Sequence, residues 1–476
     1  MSRRTAVILI VLGLVIAGAG YGVWYKLFRE VPQRFATIEE YYKYGSIGTE
    51  PEEGLPYWVW LVLPRAFAEF LPGPGGYQAL GLNWEEGRET PVGLSKKVIG
   101  FPRVGINCAV CHSASYRTAP DAPTRVVPTG PMVRFDPQAY LRFLARCAQD
   151  TRFNADYLLP FIEYNVELSW LDKLLYRYLI IPRTREGLLE QAERMAWTWD
   201  RPRWGPGRID PFNPVKFHPH LLGLDPEADD TIGNSDVMPL WAMAGQKGYS
   251  LHWDGLNTDL TEVVLSGAIG DGARPDSLPV DKLAELEEYL RHKAPPPYPF
   301  LERLDPVAVA RGEAVFRAHC ADCHGPDGTR TGTVIPQPQV GTDPHRLAMW
   351  TSEAARRYNR YAQGYDWDFD AFVKTDGYVA KPLDGLWLRA PYLHNGSVPT
   401  LADLLSPPDQ RPEIFYRGYD VYLPGGSGFV HQGEAAAAQG FAYDTRLPGN
   451  GNAGHPFGST LADGQKRDLI EYLKTL

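Results

Sequence analysis

The longest apolar stretch of the chain lies at the N-terminus, where no charged residue occurs from Thr5 to Tyr25. A helix of this length can cross a bilayer, and the preceding Arg3 and Arg4 would hold its start in the cytoplasm. The small residues 17–19 also fit the cleavage site of a signal peptide, although the apolar run continues past them. We therefore favour a retained transmembrane helix over residues 1–27, with a signal peptide as the alternative.

Three later segments have apolar residues at helical spacing. They are Asp281–Leu290, Pro306–His319 and Asp468–Leu476. Frequent proline and glycine elsewhere indicate long loops rather than a sheet-based fold. The predicted fold class is therefore mainly α.

A short motif occurs twice in the same order along the chain. Leu251–Gly255, followed by Asp259 and Leu260, resembles Leu393–Gly396, followed by Thr400–Leu404. Two matched segments of this kind indicate two copies of one unit.

A stiff, proline-rich run over residues 294–299 separates the two copies. We predict an N-terminal domain over residues 28–298, enlarged by an extension and an insert, and a C-terminal domain over residues 299–476.

Two Cys-x-x-Cys-His motifs carry the candidate chemistry. They are Cys108-Ala-Val-Cys111-His112 and Cys320-Ala-Asp-Cys323-His324. In such a motif both thiols form thioethers with the porphyrin, and the adjacent histidine binds the iron. A redox dithiol or half of a zinc site is the competing interpretation of a cysteine pair, but a histidine follows each pair at once and no further pair completes a four-sulfur site. The sequence therefore predicts two covalent c-type haems, with His112 and His324 as iron ligands, in two cytochrome c-like domains.

The cellular compartment follows from the haem motifs and the N-terminal helix. Bacteria attach c-type haem outside the cytoplasm, so we expect a single-pass protein of the inner membrane. The haem domains would then lie in the periplasm or on the outer face. A net charge of −9 without a basic run argues against a nucleic-acid partner.

Four of the five cysteines belong to the two motifs, which leaves no disulfide framework. The fifth, Cys147, lies in a segment with helical apolar spacing, so we expect a buried and unreactive thiol.

Several strings resemble bacterial dihaem cytochrome c peroxidases, a superfamily that also contains a methylamine-utilisation enzyme and the rubber oxygenases. The paired motifs of that superfamily match residues 234–255 and 388–401. The chain is most similar to the rubber-oxygenase-like branch, through residues 211–216, 229–236 and 449–455. This resemblance implies peroxide or dioxygen chemistry at the N-terminal haem and electron transfer through the C-terminal haem.

The resemblance also implies that a tryptophan lies between the two haems. By motif match this residue is Trp253, although the chain has 13 tryptophans and a core position is the alternative. An aromatic ring between two irons is a plausible stepping point for an electron.

The first haem departs from the peroxidase pattern on its distal side. No histidine stands where those enzymes usually carry one, and Asp271 occupies the region of their catalytic glutamate. Asp271 could serve as general acid, although aspartate in a Gly-Asp-Gly loop is often a turn residue. We expect an open iron beneath small or apolar residues such as Ala268 and Ile269.

The second haem needs a sixth ligand from the C-terminal domain. The histidine candidates are His345, His394, His431 and His455. We favour His455, which lies in a glycine- and asparagine-rich loop before the closing helix, and the rubber-oxygenase resemblance agrees.

The resemblance further implies a calcium ion between the domains, with Asn234 or Asp236 as a ligand. Two functions fit the whole sequence. One is a membrane-anchored oxidoreductase that receives electrons from a cytochrome or another redox protein. The other is a dihaem electron carrier that catalyses no reaction of its own.

Overall fold

The computed structural model describes residues 3–476, so the first two residues of the predicted anchor lie outside the described part. The fold is mainly helical, as predicted, and its strands are only two to six residues long. The α-helices are Arg3–Leu27, Ile38–Tyr44, Tyr57–Ala66, Pro137–Gln149, Ala155–Asn165, Trp170–Leu175, Ile181–Arg194, Asn213–Phe217, Leu260–Gly270, Val280–His292, Pro306–His319, Ala321–His324, Gln337–Val340, His345–Met349, Ser352–Tyr361, Leu401–Leu404, Glu434–Gln439 and Asp463–Leu473. The strands are Glu30–Val31, Leu55–Pro56, Leu94–Ile99, Phe101–Ile106, Ser113–Tyr116, Arg125–Pro128, Arg208–Ile209, Ser235–Asp236, Val334–Pro336, Gly377–Val379, Ile414–Arg417 and Phe441–Asp444.

The N-terminal helix, Arg3–Leu27, is long and apolar enough to cross a membrane. Its most apolar window packs against no other part of the described chain. A signal sequence would meet the same criteria of length and composition, so anchoring by this helix stays a prediction.

A small antiparallel sheet leads the chain into the first Cys-x-x-Cys-His motif. Its central hairpin pairs Leu94–Ile99 with Phe101–Ile106 through a tight turn at Gly100. An ideal Cβ on Gly100 would lie 2.3 Å from the carbonyl carbon of Leu27. Only glycine therefore fits where the sheet meets the end of the N-terminal helix, and the second strand ends two residues before Cys108.

Two crossing helices position the second motif. Pro306–His319 ends directly before Cys320 and packs against Asp463–Leu473. An ideal Cβ on Gly312 would lie 2.0 Å from the backbone oxygen of Asp468, so the helices touch through their backbones. The closing helix was predicted at 468–476, and it begins five residues earlier because Gln465 caps its start.

The sequence repeat is also a structural repeat. Leu251 bridges Asn257 in the first copy, and Tyr392 bridges Val398 in the second. Both copies then continue into a helix, which begins at Leu260 in the first copy and at Leu401 in the second.

The bridges show that the two copies align one residue away from the predicted match. With this spacing His394 corresponds to Trp253, and His252 corresponds to Leu393. His252 and Leu393 agree in backbone conformation as well, with φ of 60° and 71°. The predicted match of Leu393 with Leu251 was therefore wrong, because the first copy has one residue more between its leucine and its glycine.

The hydrophobic cores cross the predicted domain boundary at residues 298/299. One core cluster combines Leu256 and Leu260 with Trp350 and Tyr358. Buried ion pairs also join the two sides, including Arg346 with Asp254 at 2.9 Å and Arg117 with Asp420 at 2.8 Å. The two sides of the predicted boundary are therefore closely associated, and the two-domain division itself stays a prediction.

Candidate haem sites

The first motif begins with a capped turn. Asn107 accepts a hydrogen bond from the Ala109 N–H at 3.0 Å, and its amide donates to the Gly45 carbonyl at 2.9 Å. The side chain of Asn107 therefore fixes the turn that carries Cys108 and Cys111.

The His112 ring is oriented by a distant carbonyl. Its Nδ1 lies 2.8 Å from the backbone oxygen of Met238, and a carbonyl can only accept, so Nδ1 carries the proton. Burial lowers the pKa of His112 to about 4. A neutral ring with Nε2 unprotonated is the form that binds a metal.

The second motif repeats this arrangement. The Nδ1 of His324 lies 2.7 Å from the backbone oxygen of Lys381, and burial again lowers the pKa of the imidazole. Both motif histidines thus have the outer hydrogen bond that usually orients a metal-binding imidazole. None of the five cysteines, all within residues 3–476, forms a disulfide.

A cavity of about 1530 Å³ contains the first motif. Its lining brings together Cys108, Cys111 and His112 with the two predicted catalytic residues, Trp253 and Asp271. These five residues come from three separate segments of the sequence.

Asp271 lies at the end of the helix Leu260–Gly270 and borders this cavity. Burial raises the pKa of its carboxyl to about 7. The group can therefore hold or release a proton near neutral pH. Of the two apolar residues expected over the first iron, Ile269 lines the cavity, whereas Ala268 is buried and does not line it.

Trp253 connects the cavity with the second motif. Its indole N–H donates to the Asp236 carbonyl at 2.7 Å, and its own carbonyl accepts from Val379 at 2.8 Å. Val379 is two residues before Lys381, whose carbonyl receives the His324 hydrogen bond.

Two half-buried cations that line the same cavity test whether a haem fits there. Lys381 donates to the Ser250 carbonyl at 3.0 Å, and Arg389 donates to the carbonyls of Pro382 and Asp384. Neither forms an ion pair within residues 3–476, and the Nε of Arg389 has no hydrogen-bond partner there.

Burying two charges without anions is costly. The burial of Lys381 lowers its pKa to about 7, and that of Arg389 to about 10. The two propionates of a haem would supply the missing negative charge, so the residues present fit the group. No motif in the sequence points to Lys381, and Arg389 lies within the motif at residues 388–401 without a distinct pattern of its own.

His252 is a further cavity residue whose role the sequence did not reveal. Its Nε2 is buried without a hydrogen-bond partner among the described residues, and burial lowers the pKa of the ring to about 3. The ring therefore has a free nitrogen beside the first motif.

His455 lies next to the second motif. Its ring centroid is 6.1 Å from that of His324, and its Nδ1 has no partner in the described chain. Burial lowers the pKa of His455 to about 4. The backbone φ of +44° is uncommon for a residue other than glycine, and Arg411 donates to its carbonyl at 3.3 Å.

The other histidine candidates make different contacts. His345 lies 2.8 Å from an Asp343 oxygen, His394 stacks on Tyr378, and His431 lies 3.1 Å from its neighbouring Phe429 carbonyl.

The suggested calcium ligands are also engaged elsewhere. Asp236 pairs with Arg417, and the Asn234 amide donates to the Pro202 carbonyl at 3.0 Å. No group of three or more His, Cys, Asp or Glu side chains within residues 3–476 is arranged to hold a metal ion. The calcium ion stays a prediction that these contacts do not support.

Cys147 is buried in the helix Pro137–Gln149, as expected. Burial raises the pKa of its thiol, which agrees with an unreactive group.

The C-terminal part of the chain matches two protein families. Residues 309–386 match cytochrome c, and residues 377–416 match a family described as RoxA-like, cytochrome c-like. The chain therefore has a cytochrome c region related to RoxA-like proteins, which implies covalently bound c-type haem. The second motif lies inside these matches, whereas the first lies outside them.

Two proteins of Sinorhizobium fredii are similar to this chain. The uncharacterised protein y4iM is 32% identical over an alignment of 258 residues, and the match covers 44% of this chain and 56% of that protein. The uncharacterised protein y4iJ is 45% identical over an alignment of 108 residues, and the match covers 21% of this chain and 18% of that protein. The chain thus spans about half the length of the first relative and less than a fifth of the second.

Proposed function

We propose that this protein is a membrane-anchored dihaem c-type cytochrome oxidoreductase of the cell envelope. The haem of the first motif would activate peroxide or dioxygen, and the haem of the second would pass electrons to it. The donor would be a small cytochrome or another redox protein.

The observation that carries this proposal is an asymmetry between the two motifs. His324 has the His455 imidazole 6.1 Å away, centroid to centroid. This separation suits one iron between two rings, because metal–imidazole bonds are about 2 Å long. His112 instead borders a large cavity, where a small ligand could reach an iron.

The residues of the cavity would divide the remaining tasks. A haem there would supply an iron that binds a small ligand and changes its redox state. The carbonyl of Met238 would keep the His112 ring in one orientation, and Lys381 and Arg389 would bind the propionates. Asp271 would hold a proton on its carboxyl near neutral pH and serve as the general acid of the cavity.

Trp253 would be the stepping point for electrons from the second motif. Support comes from its position in the cavity lining and from its backbone bond to Val379, close to the carbonyl that orients His324. The route therefore has an aromatic ring at one end and a motif histidine at the other.

A pure electron carrier is the second candidate, and His252 favours it. The unpartnered Nε2 of this residue borders the same cavity as His112. If His252 bound the first iron, both haems would be closed to small ligands.

Electron paramagnetic resonance of the oxidised full-length protein separates the two functions. We expect two haems per chain by the pyridine haemochrome assay, with one high-spin and one low-spin signal. A His112→Ala protein should lose the high-spin signal and all peroxide turnover with a reduced small cytochrome.

A matched His252→Ala variant identifies the carrier. Two low-spin signals in the native protein, one of which becomes high-spin in His252→Ala, would establish the carrier and overturn the enzyme. A single haem per chain would contradict both functions.

A further inference from the structure

The helical hairpin after the first motif exposes an unusual number of large apolar side chains. It consists of Ala155–Asn165 and a continuous helical segment from Trp170 to Arg194. Tyr164, Trp170 and Tyr178 are 76%, 74% and 72% exposed. Leu171, Leu174 and Leu179 are also exposed.

These exposed side chains form a surface that does not contribute to the hydrophobic core. Trp170, Leu174 and Tyr178 are four residues apart and therefore share one face of the helix. The other side of the same segment supplies Tyr176 and Ile180 to the hydrophobic core. The exposed apolar face is thus additional to the face that packs the hairpin onto the protein, and exposed patches of this kind commonly mark contact sites.

An ion pair joins this surface to the end of the N-terminal helix. Lys26 in its last turn lies 2.7 Å from Asp172, which is two residues after Trp170. Phe28 next to this pair is 63% exposed. The apolar surface therefore begins where the apolar helix ends, at the level where a membrane surface would lie.

Several charges beside these side chains are paired with one another. Lys173 lies 2.7 Å from Glu163, and Arg177 lies 2.5 Å from Asp156. Pairing reduces the cost of placing charged groups close to lipid. Tryptophan and tyrosine are also the residues enriched at membrane–water interfaces.

We propose that the hairpin surface lies in the interface of the bilayer that the N-terminal helix enters. The proposal rests on the membrane anchor of the proposed function. It also gives the cavity of the first motif a lipid-facing end, since Leu27, Phe28 and Leu179 are among its lining residues.

Photolabelling of the full-length protein in phosphatidylcholine vesicles tests the contact. The vesicles contain a phosphatidylcholine with a diazirine on its acyl chain, and tryptic peptides are analysed by mass spectrometry. The hairpin peptide Tyr178–Arg183 should carry about ten times more label than Leu304–Arg311, because an interfacial helix reaches the acyl boundary. The second peptide is a matched control, since its Val307 is 61% exposed.

Alkaline carbonate extraction separates the two possible failures. If carbonate releases the protein from the vesicles, the N-terminal helix does not anchor it, and the membrane anchor of the proposed function is wrong. If the protein stays in the vesicles but the hairpin peptide is labelled no more than the control, only the surface proposal is overturned.

A second copy of the chain is the competing occupant of the surface. A water-soluble maleimide should react with Tyr178→Cys about tenfold more slowly than with Val307→Cys if lipid covers the hairpin. Slow reaction without lipid label, together with crosslinking of two Tyr178→Cys chains, would identify a dimer and overturn the proposal.

Discussion

At the scale of single residues, we expect His455 to set the spin state of the proposed second haem. The His455→Ala protein should lose the imidazole 6.1 Å from His324, so the low-spin signal should become high-spin. Low-temperature electron paramagnetic resonance measures this change.

His431→Ala is the matched control for His455→Ala. The His431 ring contacts the Phe429 carbonyl rather than a motif histidine, so the spectrum should not change. An unchanged low-spin signal in His455→Ala would exclude this residue as the sixth ligand.

The titration of Asp271 should appear in the pH dependence of peroxide turnover. The pKa of its carboxyl is raised to about 7 by burial, so a proton donor at this position is lost as pH rises through about 7. The kcat/KM should fall there, and Asp271→Asn should be about 100-fold slower without this transition. Asp276→Asn, an exposed aspartate of the same cavity lining, should keep the native profile.

Stability gives a second measurement on Asp271. The folded chain binds a proton that the unfolded chain lacks between pH 3.8 and about 7, so the free energy of unfolding falls as pH rises through this range. At pH 8 the Asp271→Asn protein should therefore have a higher Tm than the native protein. If the Tm of Asp271→Asn at pH 8 is equal to or lower than that of the native protein, the raised pKa of the Asp271 carboxyl is contradicted.

The residues that sequence could predict are those whose chemistry is local. A Cys-x-x-Cys-His motif places both thiols and the histidine in one turn, so His112 was evident from spacing alone. Met238 lies 126 residues away from His112, and Lys381 lies 57 residues away from His324. Contacts at such distances depend on the tertiary fold, and no periodicity in the sequence encodes them.

At the scale of elements, the helix crossing beside the second motif should tolerate no side chain at Gly312. Its ideal Cβ would lie 2.0 Å from the Asp468 oxygen. Gly312→Ala should therefore lower the free energy of unfolding by about 1–3 kcal/mol, as overpacking usually does. The Tm by circular dichroism measures the effect.

Gly187→Ala is the control for this change. Gly187 also lies within a helix, but nothing is within 4 Å of its ideal Cβ. The free energy of unfolding should rise by about 0.5–1 kcal/mol, since alanine favours a helix. An equal loss of stability in both variants would show that the helix crossing is not the cause.

Apolar spacing in the sequence predicted the positions of these helices well, and it predicted their first and last residues less well. Pro306–His319 matches its prediction, because Asp305 caps it and Cys320 ends it. The predicted alignment of the two repeats was wrong by one residue, because it matched identical residue types and could not include the backbone pairing. The bridge of Tyr392 with Val398 corrects it.

At the scale of the whole molecule, the predicted boundary at residue 298 does not separate two independent cores. Trp350 and Tyr358 share a cluster with residues from before the boundary. The proline-rich run itself places Tyr298 in the core beside Trp387. Composition identifies such a run as stiff, but it does not reveal whether neighbouring side chains pack on it.

Because the two sides pack closely, we expect the proposed electron exchange between the two sites to depend on residues from both sides of the boundary. Trp253 borders the first site and bonds to the strand that precedes Lys381. Trp253→Phe should leave the haem content unchanged and slow the reduction of the first haem after the second is reduced. Stopped-flow spectroscopy with a reduced small cytochrome follows both steps.

Trp84→Phe is the matched control, because both indole N–H groups donate to a backbone carbonyl, at 2.7 Å for Trp253 and 2.8 Å for Trp84. Trp84 does not line the cavity. If loss of an indole hydrogen bond alone were the cause, reduction of the first haem would be equally slow in both variants. If Trp253 is the stepping point for electrons, this reduction should be slow only in Trp253→Phe. An unchanged rate in Trp253→Phe would mean that electrons pass by another route, such as the backbone from Val379 to Lys381, whose carbonyl accepts the His324 hydrogen bond.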